Sequence, residues 1–171
     1  ITEQQRVYLI IVMLLCKKEE LSLFHFTSEL DVSKNTILSD LNEARKLVDN
    51  YNVTIRYSRK YGYLIEGEEF SIRKLLINIF YKIIEMPNGK SRIQALVNIK
   101  EDELNGLRQR LEKIENKLNL KFTDEKIETL PYTLLLVLHR VKINTLKTSF
   151  SIPYKELSGT KEYQATEELL F

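Results

Sequence analysis

The most constraining feature of this sequence is a break of three residues, Asp31, Val32 and Ser33, between two segments with helical spacing of apolar residues. The first segment runs from Leu21 to Leu30, and the second runs from about Lys34 to Asn50. Apolar residues recur in both at steps of three and four, which is typical of helices packed on a core. Because Ser33 stands where a helix cap is expected, the sequence predicts a helix, a tight turn and a second helix.

After the second helix the apolar spacing changes from helical to alternating. Five apolar residues occupy alternate positions on either side of a turn at residues 59–62: Val53, Ile55, Tyr57, Tyr63 and Ile65. Alternation in two short segments joined by a turn predicts a β-hairpin. Two helices, a tight turn and a following hairpin are the layout of a winged helix-turn-helix. We therefore predict a mainly α fold that contains one small β-hairpin.

The rest of the chain is predicted to be helical. A long helix follows Gly67 and ends at the sequence "PNG", residues 87–89, which we take as a domain boundary followed by a connector. An amphipathic helix from about Leu104 to Leu118, an apolar helix from Pro131 to about Leu146 and a helix from Lys161 to Phe171 are expected beyond it. We accordingly divide the chain into a winged helix-turn-helix domain at residues 1–68, a linking helix and connector at 69–99, and a helical domain at 100–171.

Composition and motif content exclude several functional classes. The formal net charge is only +2, so a nucleic-acid contact must come from a local basic patch. The apolar run from Tyr8 to Cys16 is about half of the roughly 20 residues that a membrane span requires. One Cys, two separated His and no phosphate-binding glycine loop leave no nucleophile, metal cluster or nucleotide site. We expect no enzyme activity, no metal, no cofactor and no membrane contact, and we expect a cytoplasmic protein.

The chain begins at Ile1 instead of Met, and no helix stop signal precedes its last residue, Phe171. We therefore expect a fragment of a longer protein.

Two groups of polar and basic residues are candidates for contact with double-stranded DNA. The start of a recognition helix must enter the major groove, where short polar side chains reach base edges and phosphates, while a hairpin meets the adjacent backbone or minor groove. The candidates are Ser33, Lys34, Asn35, Thr36, Ser39 and Asn42 on the second helix, and Arg56, Arg59, Lys60 and Tyr61 on the hairpin. The alternative is that Ser33 only caps the helix, Thr36 bonds locally, and the Lys and Asn residues are solvated surface. Nearby acidic residues offset the basic ones, so DNA binding should be weak and salt-dependent, and we expect a homodimer.

Two motifs resemble a known family. The sequence "SKNTILSDL" is similar to the Ser-x-x-Thr-x-x-x-Asp-Leu pattern of Mga-type and related helix-turn-helix domains. The sequence "YGYLIEGEEFSIRKLL" is similar to the segment that follows it in that family, with five residues in register: Gly62, Tyr63, Gly67, Glu69 and Arg73. The resemblance implies that Asp40 is structural and pairs with a nearby basic residue.

The same resemblance implies a bacterial transcription regulator of the Mga/BglG type, and we expect an activator. In that family the helix-turn-helix is followed by phosphotransferase-system regulation domains (PRD), which are helical bundles phosphorylated on histidine. Residues from about 100 onward resemble the start of such a bundle. His139 is then the candidate phosphorylated residue, because His25 lies within the first helix of the DNA-reading unit. The alternative is a buried, hydrogen-bonded histidine. The implied partners are the phosphocarrier protein HPr or sugar-specific enzyme II components.

Two other functions stay open. In the first, this helix-turn-helix is a dimerisation or signal-relay module, and another copy reads DNA. In the second, the protein is an RNA-binding antiterminator, which shares the regulation domain but needs an RNA-binding module.

Overall fold

The structure of the protein is a computed structural model, and it describes residues 1–17 and 19–143. The elements in chain order are α1 Glu3–Cys16, α2 Leu23–Leu30, α3 Lys34–Asp49, β1 Thr54–Ser58, β2 Gly62–Glu66, α4 Glu69–Ile84, α5 Gly89–Val97, α6 Glu101–Leu118 and α7 Asp124–Ile143. Two compact units are present: Ile1–Asn98 with Leu136–Ile143 form the first, and Ile99–Leu135 belong to the second. The predicted helix from Lys161 to Phe171 lies outside the described residues.

Helix α1 is the centre of the first unit. Its start is fixed by Thr2 and Gln5, because the Gln5 N–H donates to Thr2 Oγ1 at 3.2 Å and the Thr2 N–H donates to Gln5 Oε1 at 3.0 Å. Every residue from Val7 to Cys16 except Tyr8 is buried. A helix that is apolar on all sides is stable only between neighbours, and α1 contacts α3, α4, α5 and β2.

Helix α2 runs from Leu23 to Leu30 with Ser22 as its N-cap residue, so it begins two residues after the start of the predicted segment. Leu21 forms an isolated parallel bridge with Gly62, and its carbonyl accepts a hydrogen bond from the Tyr63 N–H at 2.7 Å. The expected helical start at Leu21 is therefore wrong, and α2 starts at Leu23. Asp31, in the left-handed conformation at φ 52, ends the helix, and the turn to α3 has the predicted three residues.

The predicted hairpin is present, and β1 and β2 pair antiparallel with Ile55 opposite Ile65 and Tyr57 opposite Tyr63. Gly62 begins β2 with a φ of 72°, and a Cβ there would lie 2.3 Å from the Leu21 carbonyl oxygen. Both the backbone conformation and the close approach require glycine at this position. Leu21 thus extends the small sheet past the hairpin and ties it to the start of α2.

Helix α4 begins after Gly67 as predicted, but the connector predicted to follow it is partly helical. Residues from Gly89 to Val97 form α5, with Ile93, Leu96 and Val97 buried on one face. A Cβ at Gly89 would lie 1.9 Å from the Ile83 carbonyl oxygen, so glycine permits the close approach of α5 to the end of α4. The helical spacing of the three buried residues was the available signal for this helix.

The second unit contains α6 and the first part of α7. Helix α6 buries the predicted stripe of Leu104, Leu107, Leu111 and Ile114, and its first turn carries three acidic residues that suit the positive end of the helix dipole. The predicted start of α7 at Pro131 is wrong, because the helix begins at Asp124 and Pro131 lies inside it. Proline removes one helical hydrogen bond, and the buried position of Pro131 allows packing to offset that loss.

These elements confirm a mainly α, winged helix-turn-helix fold with a two-stranded antiparallel hairpin. The division of the chain at residues 68 and 99 stays a prediction. Among the described helices, none combines the length and the apolar character needed to cross a membrane.

Candidate nucleic-acid interface

The first turn of α3 presents polar groups to solvent. We call residues 33–36 the α3 tip. Ser33 caps the helix as predicted, since its Oγ accepts from the Thr36 N–H at 3.2 Å and lies 2.9 Å from Thr36 Oγ1. Ser33, Lys34 and Asn35 are exposed, and Thr36 is partly exposed. The cap thus fixes the conformation of the α3 tip and leaves Lys34 and Asn35 accessible.

The next turns of α3 carry the other two candidates. Ser39 and Asn42 are exposed, and Asn42 Oδ1 accepts from Arg45 Nη1 at 3.1 Å. Arg45 also donates from Nε to the Ile55 carbonyl at 3.3 Å. Arg45 therefore connects α3 to strand β1 and holds the hairpin beside the helix.

The basic residues of the hairpin differ in how much of their charge is available. Arg56 is engaged by Glu66, with Nη2 to Oε1 at 2.7 Å, and the hydrogen bond to Glu66 raises the pKa of Arg56. Arg59, Lys60 and Tyr61, which we call the hairpin turn, are exposed, and the Lys60 Nζ lies 5.1 Å from the Tyr61 ring centroid. Hence the hairpin turn, more than the strand, supplies accessible positive charge.

The α3 tip and the hairpin border the same cleft, because Lys34 and Tyr57 both line it. Of the candidate residues, Lys34 lines this cleft, and the hairpin residue opposite it, Tyr57, was not a candidate.

A buried ion pair fixes the orientation of α3. Asp40 is 1% exposed, and its two carboxylate oxygens accept from Arg6 Nε at 2.7 Å and Arg6 Nη2 at 3.2 Å. The hydrogen bond to Asp40 is the main cause that raises the pKa of the Arg6 guanidinium. The pairing of Asp40 with a basic residue is confirmed, and it attaches the middle of α3 to α1.

The N-terminal part of the chain is similar to a known helix-turn-helix domain. Residues 1–80 match the Mga helix-turn-helix domain. The match confirms the resemblance carried by the two sequence motifs, and it covers α1 to α3, the hairpin and most of α4. The matched segment contains all ten candidate contact residues.

Two curated relatives resemble nearly the whole chain. The chain is 24% identical over 170 residues to "Transcriptional regulator ManR" of Bacillus subtilis (strain 168), which covers 96% of this chain and 25% of that protein. It is 21% identical over 171 residues to "Probable licABCH operon regulator" of the same organism, which covers 98% of this chain and 26% of that protein. The chain spans about a quarter of the length of the curated relatives it matches. No solved structure matches the chain.

The two histidines have different surroundings. His25 in α2 is exposed, and its Nδ1 accepts from the Ser22 N–H at 3.0 Å, so it helps to cap α2. His139 is partly buried in α7, among the residues that belong to the first unit. Leu146, the predicted end of the helix that carries His139, lies outside the described residues.

Beside His139, Arg140 is buried in an ion pair. Arg140 donates from Nε and Nη2 to the two carboxylate oxygens of Glu69 at 3.1 and 3.2 Å, and from Nη1 to the Leu15 carbonyl at 3.1 Å. Arg73 donates to the same carboxylate at 3.2 Å. Glu69 and Arg73, which belong to the motif that resembles the Mga family, thus form an ion-pair cluster with Arg140, 71 positions after Glu69.

Sequence reasoning missed three residues of the first unit that border or hold this surface: Phe24, Arg45 and Tyr57. Phe24 lies outside the buried stripe of α2, so a large apolar side chain at a polar position was its signal. Alternation places Tyr57 on the same strand face as the buried Ile55, so its exposure of 59% was not expected from the sequence. Arg45 has no local signal, because its partner Ile55 lies in another element.

Proposed function

We propose that this chain is part of a DNA-binding transcription regulator in which the α3 tip enters the major groove of duplex DNA. The observation that carries the proposal is the exposed polar tip of α3 beside an exposed basic hairpin turn, within a segment that matches a helix-turn-helix domain. The names of both curated relatives, a transcriptional regulator and an operon regulator, are consistent with it.

Each group has a role that follows from its chemistry. Asn35 and Ser39 are short polar side chains that can bond base edges, whereas Lys34 and the free N–H groups of the first turn of α3 suit phosphate oxygens. Arg59 and Lys60 suit the backbone or minor groove next to the helix. The Arg56 guanidinium is paired with Glu66, so it adds little to the positive charge that the interface offers to DNA. We therefore expect that stable binding needs two copies of the protein on one operator.

The regulatory part of the proposal concerns α7. We expect the full-length protein to be a cytoplasmic activator whose DNA binding responds to phosphorylation of His139 by HPr or an enzyme II component. A phosphoryl group would add nearly two negative charges next to Arg140, which is bound to Glu69 and to the Leu15 carbonyl. The support is the resemblance of the second half to a PRD and the position of His139 beside this ion pair.

The experiment that tests DNA reading is the double variant Lys34→Ala with Arg59→Ala. Each lost hydrogen bond to a charged phosphate should weaken binding about tenfold, so the two together should weaken it about 100-fold. The slope of log affinity against log salt should fall in magnitude by about two. Fluorescence anisotropy of the full-length protein on an operator selected from a random library measures both quantities.

The matched control is Lys82→Ala with Lys113→Ala, which removes the same charge from exposed positions outside the interface. We expect it to bind like the wild type. If the Lys34 and Arg59 variant also binds like the wild type, direct reading by this domain is wrong. The dimerisation or signal-relay function, which the low accessible charge of the hairpin favours, would then replace it.

A further inference from the structure

A cleft of about 610 Å³ separates the start of α3 from the hairpin. We call it the aromatic cleft. Phe24 of α2 and Tyr57 of β1 line it together with Lys34, and Ser22 and Thr27 also belong to its lining. Phe24 is 73% exposed and Tyr57 is 59% exposed, so both rings are available to a ligand.

The position of Tyr57 is fixed although its ring is exposed. Alternation places Tyr57 on the same strand face as Ile55, which is buried. The Tyr57 ring packs on Tyr63 with centroids 5.1 Å apart, and Tyr63 in turn packs on the buried Phe26 at 5.9 Å. The phenol is therefore held at the cleft by core residues, and little conformational entropy would be lost if it bound a ligand.

We propose that the aromatic cleft binds the sugar-phosphate backbone of one DNA strand, with Lys34 and the Tyr57 hydroxyl at a phosphate and the Phe24 ring against a deoxyribose. This inference rests on the proposed function and adds residues to it. A major groove and the adjacent minor groove are separated by one backbone strand. If the α3 tip lies in the first groove and the hairpin turn in the second, that strand passes between them, where the cleft lies.

The charge and chemistry of the cleft suit a phosphodiester better than a protein. Its lining within the described residues contains the cation Lys34 and no carboxylate. Hydroxyl groups and a lysine bond phosphate oxygens, and an aromatic ring packs on the apolar face of a sugar. The first turn of α3 adds the partial positive charge of a helix N-terminus at the same place.

Two single variants test the inference in the full-length protein. Tyr57→Phe removes only the hydroxyl and should weaken binding about tenfold, since one hydrogen bond to a charged group is lost. Phe24→Ala removes the ring and should also weaken binding about tenfold. Because both contacts are to the backbone, the loss should be equal on the selected operator and on a random-sequence duplex of the same length. The salt slope should not change, because neither variant removes a charge.

Matched controls are Phe70→Ala, which removes another exposed Phe, and Tyr8→Phe, which removes a hydroxyl from α1. Both should bind like the wild type. Melting curves by circular dichroism should coincide for wild type and Tyr57→Phe, which shows that any loss of binding comes from the contact and not from unfolding.

A DNA variant identifies the phosphate. Operators in which the same phosphate of each half-site is replaced by a neutral methylphosphonate should show one position where wild-type binding weakens and where Tyr57→Phe causes no further loss. Independent losses at every position would contradict a Tyr57–phosphate contact.

The outcomes separate the two proposals. Cleft variants that bind normally, while Lys34→Ala with Arg59→Ala does not, would overturn the cleft and leave DNA reading intact. Cleft variants that bind DNA normally but change the molecular mass in light scattering would also overturn it, because the cleft would then be a protein-docking surface. Normal binding by the Lys34 and Arg59 variant would refute DNA reading itself.

Discussion

Replacing Arg6 by Met is expected to lower the free energy of unfolding by about 3–5 kcal/mol, because it leaves a buried carboxylate without its cationic partner. Asp40 is 1% exposed and receives two hydrogen bonds from Arg6. Met fills much of the volume of the arginine side chain, so the expected loss comes mainly from the charge and not from a cavity. Urea denaturation followed by circular dichroism measures the change.

A second variant separates the ion pair from the packing around it. Replacing both partners, with Arg6→Met and Asp40→Leu, should recover most of the lost stability, because a buried pair exchanged for apolar residues is often neutral. The control is Lys46→Met, which removes an exposed pair with Glu43 and should change stability by less than about 1 kcal/mol. A loss below about 1 kcal/mol for Arg6→Met itself would mean that the pair does not hold α3 to α1.

Replacing Glu69 by Ala should also cost about 3–5 kcal/mol, since Arg140 would be buried without a carboxylate and arginine cannot lose its proton. The Arg140 side chain is 9% exposed, and two of its three guanidinium nitrogens, Nε and Nη2, donate to Glu69. Replacing Arg140 by Met should cost less, because Glu69 keeps its pairing with Arg73 at 3.2 Å. Urea denaturation of the two variants measures this order.

The control for Glu69 is Glu19→Ala, which removes an exposed carboxylate paired with Lys17 at 3.6 Å and should leave stability unchanged. If Arg140→Met proves as costly as Glu69→Ala, Arg73 does not compensate for the missing guanidinium. If neither variant lowers stability, this ion pair does not stabilise the packing of Arg140 of α7 against α4.

Local signals were enough to predict the elements that carry the candidate interface. Ser33 and the apolar spacing of α3 depend on residues within one or two helical turns, and the hairpin depends on alternation around a short turn. For this reason the three-residue turn, the Ser33 cap and the strand pairing were predicted correctly.

Contacts between distant parts of the chain could not be predicted in this way. The Leu21 carbonyl accepts a hydrogen bond from the Tyr63 N–H, 42 residues away, and no spacing of neighbouring residues indicates such a contact. Glu69 was recognised as a motif residue, whereas its partner Arg140 lies 71 positions further on. The sequence shows which residues are charged, but only the fold shows which charges meet.

The errors in the helical second half have a different cause. Pro131 was read as a helix start because proline is common at the first helical position, yet the buried residue is tolerated within α7. The segment of α5 was treated as a connector because the residues "PNG" before it are a strong stop signal. In both places a residue type that usually marks a helix end was given more weight than the apolar spacing around it.

The most direct test of DNA reading by the α3 tip and the hairpin turn is DNA cleavage by an iron chelate attached to single cysteines. The native Cys16 should not be labelled, because burial raises the pKa of its thiol to about 12, although the charge of Arg140 acts in the opposite direction. Asn35→Cys and Lys60→Cys place the chelate on the two parts of the interface, and Lys82→Cys places it on α4 as a control.

On the selected operator, the chelate at position 35 should cleave within each half-site, and the chelate at position 60 should cleave about five base pairs away, which is half a helical turn. Such a pattern would place the α3 tip and the hairpin turn in adjacent grooves. Cleavage at positions 35 and 60 no stronger than at position 82, while the labelled proteins still bind the operator, would contradict DNA reading by this surface.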